Sequence, residues 1–110
     1  MSFPELISVI IPTRNRRTLL QQAVESARTQ TYTNIEIIVI DEASEDDTAA
    51  YLKNIDDPRL KVITHSTPQG GNIARNKGLE ASNGVYIAFL DDDDVWADTK
   101  LEKQHEQKEK

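Results

Sequence analysis

Four consecutive aspartates, Asp91 to Asp94, follow the apolar segment VYIAFL and precede Val95 and Trp96. Adjacent carboxylates repel one another and favour open loop, so on their own they form a solvated acidic turn that ends a strand. Alternate carboxylates also supply hard oxygen ligands, suited to Mg²⁺ or Mn²⁺ bridging a diphosphate. Two other polar clusters stand behind apolar runs in the same way: PTRN (Pro12, Thr13, Arg14, Asn15) after LISVII, and DEAS (Asp41, Glu42, Ala43, Ser44) after IEIIVI. Asp41 and Glu42 either begin a capped helix or accept hydrogen bonds from a ribose hydroxyl or a base N–H. Thr13 and Asn15 either cap the next helix, with Pro12 ending the strand, or join a ligand site. Arg75, in GGNIARNKG, either solubilises a helix or offers its planar fork to a diphosphate. His65 and His105 have no partners at metal-ligand spacing and are expected to be ordinary surface histidines, while Trp96 is expected to pack.

These residues need a frame, and the apolar pattern supplies one. Four short runs rich in β-branched residues, Leu6 to Ile11, Ile35 to Ile40, Leu60 to Ile63 and Val85 to Leu90, are nearly continuous, as in strands covered on both faces of a parallel sheet. Between them, Leu19, Leu20, Ala23, Val24 and Ala27 share one face of a helix over Thr18 to Thr29. A second helix is predicted over Ser44 to Lys53, with an acidic first turn, a third over Gly71 to Ser82, with Asn83 and Gly84 as its stop, and a fourth from about Asp98. Alternation of this kind predicts a three-layer α/β/α sandwich with a mainly parallel sheet. Such sheets bind ligands outside the C-terminal ends of their strands. All three polar clusters fall there, and the acidic run is expected at the end of a central strand.

With 110 residues, 37% hydrophobic and 29% charged, the chain is expected to form one domain spanning 1–110. A net charge of −6 argues against a nucleic-acid partner. No cysteine is present, which excludes disulfides, thiolate metal sites and cysteine nucleophiles. The N-terminal apolar stretch lacks a basic flank, and no run is long enough to cross a membrane, so a cytoplasmic location is expected. The polar tail KLEKQHEQKEK carries no helix stop, which suggests a piece of something longer. Gly70 and Gly71 predict a tight turn, but GxGxxG and Walker A patterns are absent.

ISVIIPTRNR, SARTQTYTNIEIIVIDEASEDDT and GGNIARNKGLEASNGVYIAFLDDDDVW, in that order, resemble the N-terminal nucleotide-binding half of the family 2 inverting glycosyltransferases, which have the GT-A fold. The likeness runs from about Ile7 to about Leu101. It implies a truncated GT-A domain in which Pro12 and Thr13 line the nucleoside pocket and Asn15 shares their motif. The family usually has two aspartates where Asp41 and Glu42 stand, so the acceptor that reads the base is one methylene longer here. Arg75 matches the arginine that approaches the phosphates. Asp91, Asp92 and Asp93 cover the DXD region, with Asp93 implied as the direct metal ligand, Asp91 nearer the ribose and also a ligand, and Asp92 at a variable position.

The reaction so implied moves a sugar from a nucleotide-diphosphate sugar, UDP-sugars favoured, to a saccharide or lipid-linked acceptor hydroxyl with inversion, assisted by Mn²⁺ or Mg²⁺. The general base of the family comes from beyond residue 110, so no catalytic residue is expected in this stretch and 1–110 alone should transfer little or no sugar. Relatives commonly serve polysaccharide or cell-envelope assembly at the inner face of the cell membrane. Surface left bare by a missing half would favour self-association. Three alternatives remain at this point: a nucleotidyltransferase, which should carry a glycine-rich phosphate loop after the first strand; a phospho-acceptor receiver, which needs a Lys at a later strand end; and a binding module without transferase activity.

Overall fold

Strands and helices alternate along the whole chain, and the computed structural model describes residues 4–109. The elements are β1 (Ile7–Thr13), α1 (Arg17–Arg28), β2 (Ile35–Glu42), α2 (Thr48–Lys53), β3 (Leu60–His65), α3 (Gly71–Ala81), β4 (Tyr86–Phe89) and α4 (Lys100–Glu109). All strand pairs are parallel and the sheet order is β3-β2-β1-β4. The three-layer arrangement is the expected one. Winding runs from β1 to β2 to β3 on one side, then returns to place β4 on the other side of β1. The reversal opens a crevice at the C-terminal ends of β1 and β4, where open α/β sheets take their ligands.

Both sheet faces are covered, and the central strands are apolar at most of their buried positions, Ser8 and Glu36 being the polar exceptions within the core. Ile7, Val9, Ile11, Ile35, Ile37 and Val39 pack with Leu20, Ala23, Val24 and Ala27 of α1 and with Leu52, Leu90, Trp96 and Leu101. On the opposite face Ile10, Ile38 and Ile40 meet Ala74 of α3. That helix lies close: a Cβ on Gly78 would stand 2.5 Å from Ile10 Cγ2 and 3.0 Å from Ile40 Cδ1. Within α1, Leu19 departs from the expected apolar face and is exposed.

Four expectations are corrected. First, β4 is an edge strand among the described residues, pairing only with β1 from Ile7↔Tyr86 to Ile10↔Phe89. Second, Pro12 lies inside β1 opposite Ile40 rather than ending it. Ile10 O accepts from Leu90 N, so alternate residues of β1 direct their backbone groups toward β4. Pro12 is the next of these, and it falls where the β4 ladder has already ended, so its missing N–H leaves no bond unmade. Third, α2 begins at Thr48 and not Ser44, because Asp46 Oδ1 accepts from both the Thr48 N–H (3.1 Å) and its hydroxyl (2.5 Å). The Thr48 hydroxyl is the main reason the Asp46 carboxyl is held below its ordinary range.

Fourth, neither histidine is an ordinary surface residue. His65 Nδ1 lies 2.5 Å from Glu42 Oε2, and His105 Nε2 lies 2.7 Å from Glu5 Oε1, with its ring against Tyr32 and Tyr86. Trp96 packs in the core as expected.

A buried carboxylate ties the start of β4 to the sheet. Glu36 is 5% exposed and accepts from Ser8 Oγ (2.5 Å), the Asn83 N–H (2.5 Å) and Lys61 Nζ (2.7 Å). Burial alone would push its carboxyl up, but the Asn83 N–H, Lys61 and Ser8 together outweigh burial and hold it at about 2, against 4.5 for an unperturbed glutamate.

Candidate functional site

The end of β1 and the acidic run meet across the crevice. Thr13, 4% exposed, donates its hydroxyl to Asp92 Oδ2 at 2.9 Å. The aspartates form a turn closed by Asp94 N to Asp91 O at 3.0 Å. Core anchors hold it at both ends: Leu90 before it and Trp96 after it are buried, and Trp96 N donates to Ser26 Oγ. The turn gives its carboxylates different partners, with Asp92 and Asp93 sharing one. Asp92 points at β1, Asp93 Oδ2 joins Asp92 Oδ1 at Arg16 Nη1, each 3.4 Å away, and Asp91 faces Arg75 at 4.0 Å.

Beside this turn lies an open cleft of about 390 Å³, lined by Pro12, Thr13, Arg14, Arg16, Glu42, Pro68, Gly70, Gly71 and Asp92. Its far wall is the start of α3. Gly70 has φ +93°, a left-handed conformation that glycine adopts without strain, and it turns the chain sharply into a helix that has no side-chain cap. Arg75 folds back over this turn, so that a Cβ on Gly71 would stand 3.1 Å from its Nη1. The cleft therefore mixes acceptors (Glu42, Asp92) with guanidinium donors (Arg14, Arg16, and Arg75 at the rim), a set that can hold an anion and hydrogen-bonding groups at once.

Strand pleating separates Asp41 from Glu42, which the sequence places side by side. Glu42 faces the cleft, whereas Asp41 faces a second groove with Ala49, Ala50, Leu52, Lys53, Val62 and Thr64. Asp41 Oδ1 accepts from Ser44 N at 3.1 Å, which fixes the bend where Ala43 takes φ +55°. Asn15, at φ +54°, clasps the same bend: its N–H donates to Ser44 Oγ (3.0 Å) and its Oδ1 accepts from Glu45 N (2.6 Å). Neither Thr13 nor Asn15 caps α1, which has no side-chain cap of its own; the Arg17 N–H goes instead to Asp46 Oδ2 at 3.2 Å.

The structure thus brings Pro12, Thr13, Glu42 and Asp92 to one cleft with Asp91, Asp93 and Arg75 at its edge, and leaves Asn15 and Asp41 bracing the loops behind it. Arg14 and Arg16 line the cleft although sequence reasoning assigned them no role. The signal was present in PTRNRR, where the density of arginine directly behind a strand is a natural anion contact.

The donor chemistry can be tested against a divalent cation. Among the described residues no group of three His, Asp or Glu side chains converges as a ready-made metal site. Asp92 and Asp93 do converge on one cation, the Arg16 guanidinium. Two hard oxygen donors fit Mg²⁺ or Mn²⁺ where the remaining positions are filled by phosphate and water.

Residues 8–110 match the family model described as glycosyl transferase family 2. The chain is 45% identical over 100 residues to the UDP-Glc:alpha-D-GlcNAc-diphosphoundecaprenol beta-1,3-glucosyltransferase WfaP of Escherichia coli, covering 91% of this chain and 40% of that protein. Over 91 residues it is 43% identical to the GalNAc(5)-diNAcBac-PP-undecaprenol beta-1,3-glucosyltransferase of Campylobacter jejuni, covering 80% of this chain and 29% of that protein. Among solved structures, S. aureus TarS in complex with UDP-GlcNAc superposes with a TM-score of 0.84 at 28% identity, covering 91% of this chain and 30% of that one. The mannosyltransferase PcManGT from Pyrobaculum calidifontis, in complex with GDP-Man and Mn²⁺, gives 0.83 at 25% identity, covering 91% and 31%. The chain spans 40% or less of the length of these proteins.

Proposed function

Because this chain belongs to glycosyl transferase family 2 and shares the GT-A fold of its structural neighbours, we propose that it is the donor-binding part of an enzyme that moves a sugar from a nucleoside diphosphate to an acceptor hydroxyl with inversion. The observation that carries this reading is the cleft at the winding reversal, where Thr13, Arg14, Arg16, Glu42 and Asp92 face one open volume. UDP-sugars are favoured, because UDP-Glc stands in the name of a relative 45% identical to this chain and UDP-GlcNAc in a structural neighbour. In this reading residues 1–110 form the N-terminal part of a longer catalytic domain.

Each residue has a physical task. Glu42 accepts a hydrogen bond from the nucleoside, and Pro12 and Thr13 form the wall it lies against. Arg14, Arg16 and Arg75 meet the diphosphate, whose two phosphoryl groups suit planar guanidinium forks. Asn15 and Asp41 act through the loop that they brace. Asp93, with its turn neighbours Asp91 and Asp92, would hold Mg²⁺ or Mn²⁺, which when bound offsets charge on the leaving diphosphate. The general base that takes the acceptor proton belongs to the further length present in the relatives.

The acceptor is a saccharide or a lipid-linked saccharide, a reading supported by the undecaprenol-linked sugars in the names of the two bacterial relatives. No helix among the described residues is long and apolar enough to cross a membrane; the proposed place of work is the cytoplasmic face of the cell membrane, where such lipids are met. Val85 and Phe89 are exposed on and beside the β4 edge, and self-association through that edge is expected wherever the remainder of the domain does not cover it.

The test is a calorimetric titration with UDP, with and without Mn²⁺, on the native chain and on Asp93→Ala. Binding that requires Mn²⁺ and is lost in Asp93→Ala supports the reading. Binding of equal strength in the variant removes Asp93 from the metal site, and failure of UDP, GDP and dTDP alike to bind folded protein overturns the donor-site reading.

A further inference from the structure

We propose that His65 is a positioning residue for the Glu42 carboxylate, and that the pair selects nucleobases carrying a ring N–H on their pairing edge. The inference rests on the donor-cleft reading above and adds to it the residue that decides which base enters. Glu42 and His65 are register partners at the ends of β2 and β3, so they stand side by side on the face covered by α3. Both are largely shielded, with side-chain exposures of 8% and 13%. His65 Nδ1 lies 2.5 Å from Glu42 Oε2. A carboxylate facing a ring nitrogen at that distance has only lone pairs to offer, which assigns the proton to Nδ1.

A second donor completes the clamp. The Gln69 N–H lies 3.3 Å from both Glu42 oxygens, and its neighbours Pro68 and Gly70 line the cleft. An ionised carboxylate has about four acceptor directions. His65 engages Oε2 and the Gln69 N–H is shared between the two oxygens, so Oε1 keeps acceptor capacity in a side chain that lines the cleft. With the side chain held by His65 on one flank and Gln69 on the other, Glu42 presents a fixed acceptor. Without His65 only the shared Gln69 N–H restrains this long side chain, and the acceptor loses its place.

A fixed acceptor discriminates by what faces it. Uracil and guanine carry a ring N–H on the pairing edge and can donate. Cytosine and adenine carry a ring lone pair at the equivalent position, which would oppose a carboxylate lone pair. A site built to receive a donor rejects an analogue without it more strongly than size alone allows. UDP and CDP share ring size, sugar and diphosphate, so their ratio isolates this contact. GDP and ADP make the corresponding purine pair.

The experiment is calorimetry with UDP, CDP, GDP and ADP in the presence of Mn²⁺ on the native chain and on His65→Ala, His65→Asn and Glu42→Gln, with folding checked by circular dichroism. Native protein should bind UDP over CDP, or GDP over ADP, by roughly tenfold or more. In His65→Ala the ratio should fall toward one through loss of the favoured nucleotide. His65→Asn, whose amide N–H stands near the place of Nδ1–H, should restore most of it. Glu42→Gln, which can donate as well as accept, should also level the ratio and so shows that Glu42 reads the base; if His65→Ala does not fold, His65→Leu, which fills the space without a donor, carries the test of His65. An unchanged ratio in His65→Ala, or equal weakening of both members of a pair, overturns the inference and leaves the donor-cleft reading standing. Native protein that binds none of the four nucleotides overturns both.

Discussion

The hydroxyl of Thr13 reaches the carboxylate of Asp92 at 2.9 Å across 79 residues of sequence, and this bond closes the top of the crevice between β1 and β4. It joins two polar clusters that the chain carries at opposite ends. It also positions Asp92, whose side chain is only 12% exposed, as an acid facing the cleft instead of a member of a solvated run.

Thr13→Val removes that donor while keeping the shape of the side chain. The Asp92 oxygen then loses a partner in a shielded place, which costs about 1–2 kcal/mol. Urea denaturation should register this loss, and calorimetry should show UDP binding weakened several-fold. Unchanged UDP binding would mean that Asp92 does not depend on Thr13 for its position.

Acid should destabilise the fold through Glu36. Its folded value of about 2 lies below the 4.5 of an unperturbed glutamate, so its contribution is fully present above pH 4.5 and is lost as pH falls from there toward 2. The shift corresponds to about 3 kcal/mol. Asp57 acts in the same direction, its carboxyl held well below the usual range chiefly by hydrogen bonds from Arg59. Thermal melts between pH 7 and pH 3 should show a falling midpoint, and Glu36→Gln should flatten that slope while lowering stability at pH 7.

Gly78→Ala sets two effects against each other. Alanine in a helix gains up to about 1 kcal/mol over glycine. The new methyl would lie 2.5 Å from Ile10 Cγ2, and overpacking of this kind costs about 1–3 kcal/mol. The clash should win, with a net loss of about 1–2 kcal/mol in chemical denaturation. A stabilised variant would mean that α3 lifts from the sheet at little cost.

Residues 1–110 alone should bind donor but transfer no sugar, because the proposed general base and acceptor site belong to the rest of the domain. A radiolabelled UDP-sugar assay with a lipid-linked saccharide acceptor tests this. Turnover by the isolated chain would refute the division of the site.

Much of the fold was legible because burial on both faces leaves a plain trace. The runs LISVII and IEIIVI read as strands covered on both faces, and both are buried strands of the parallel sheet. The edge position of β4 was not legible, since VYIAFL is as apolar as a central strand. The start of α2 was misplaced because Ser44 to Asp47 has the composition of a helix cap, yet Ser44 Oγ accepts from Asn15 N, and Asp46 holds the Arg17 N–H at the start of α1 with one oxygen and Thr48 with the other. His65 and His105 were misjudged because their partners, Glu42 and Glu5, lie 23 and 100 residues away.

The layer architecture, the family resemblance and the three polar clusters behind strands are all written in the sequence, because periodicity and motif order are local properties of the chain. Which members of those clusters stand together depends on the folded chain. Pleating sends Asp41 and Glu42 to opposite sides of the sheet, parallel register sets His65 beside Glu42, and the turn at Asp91 to Asp94 aims one carboxylate at Thr13 and another at Arg75. Which way a side chain points depends on strand parity, register and turn closure, and these are set by contacts between residues far apart in the chain.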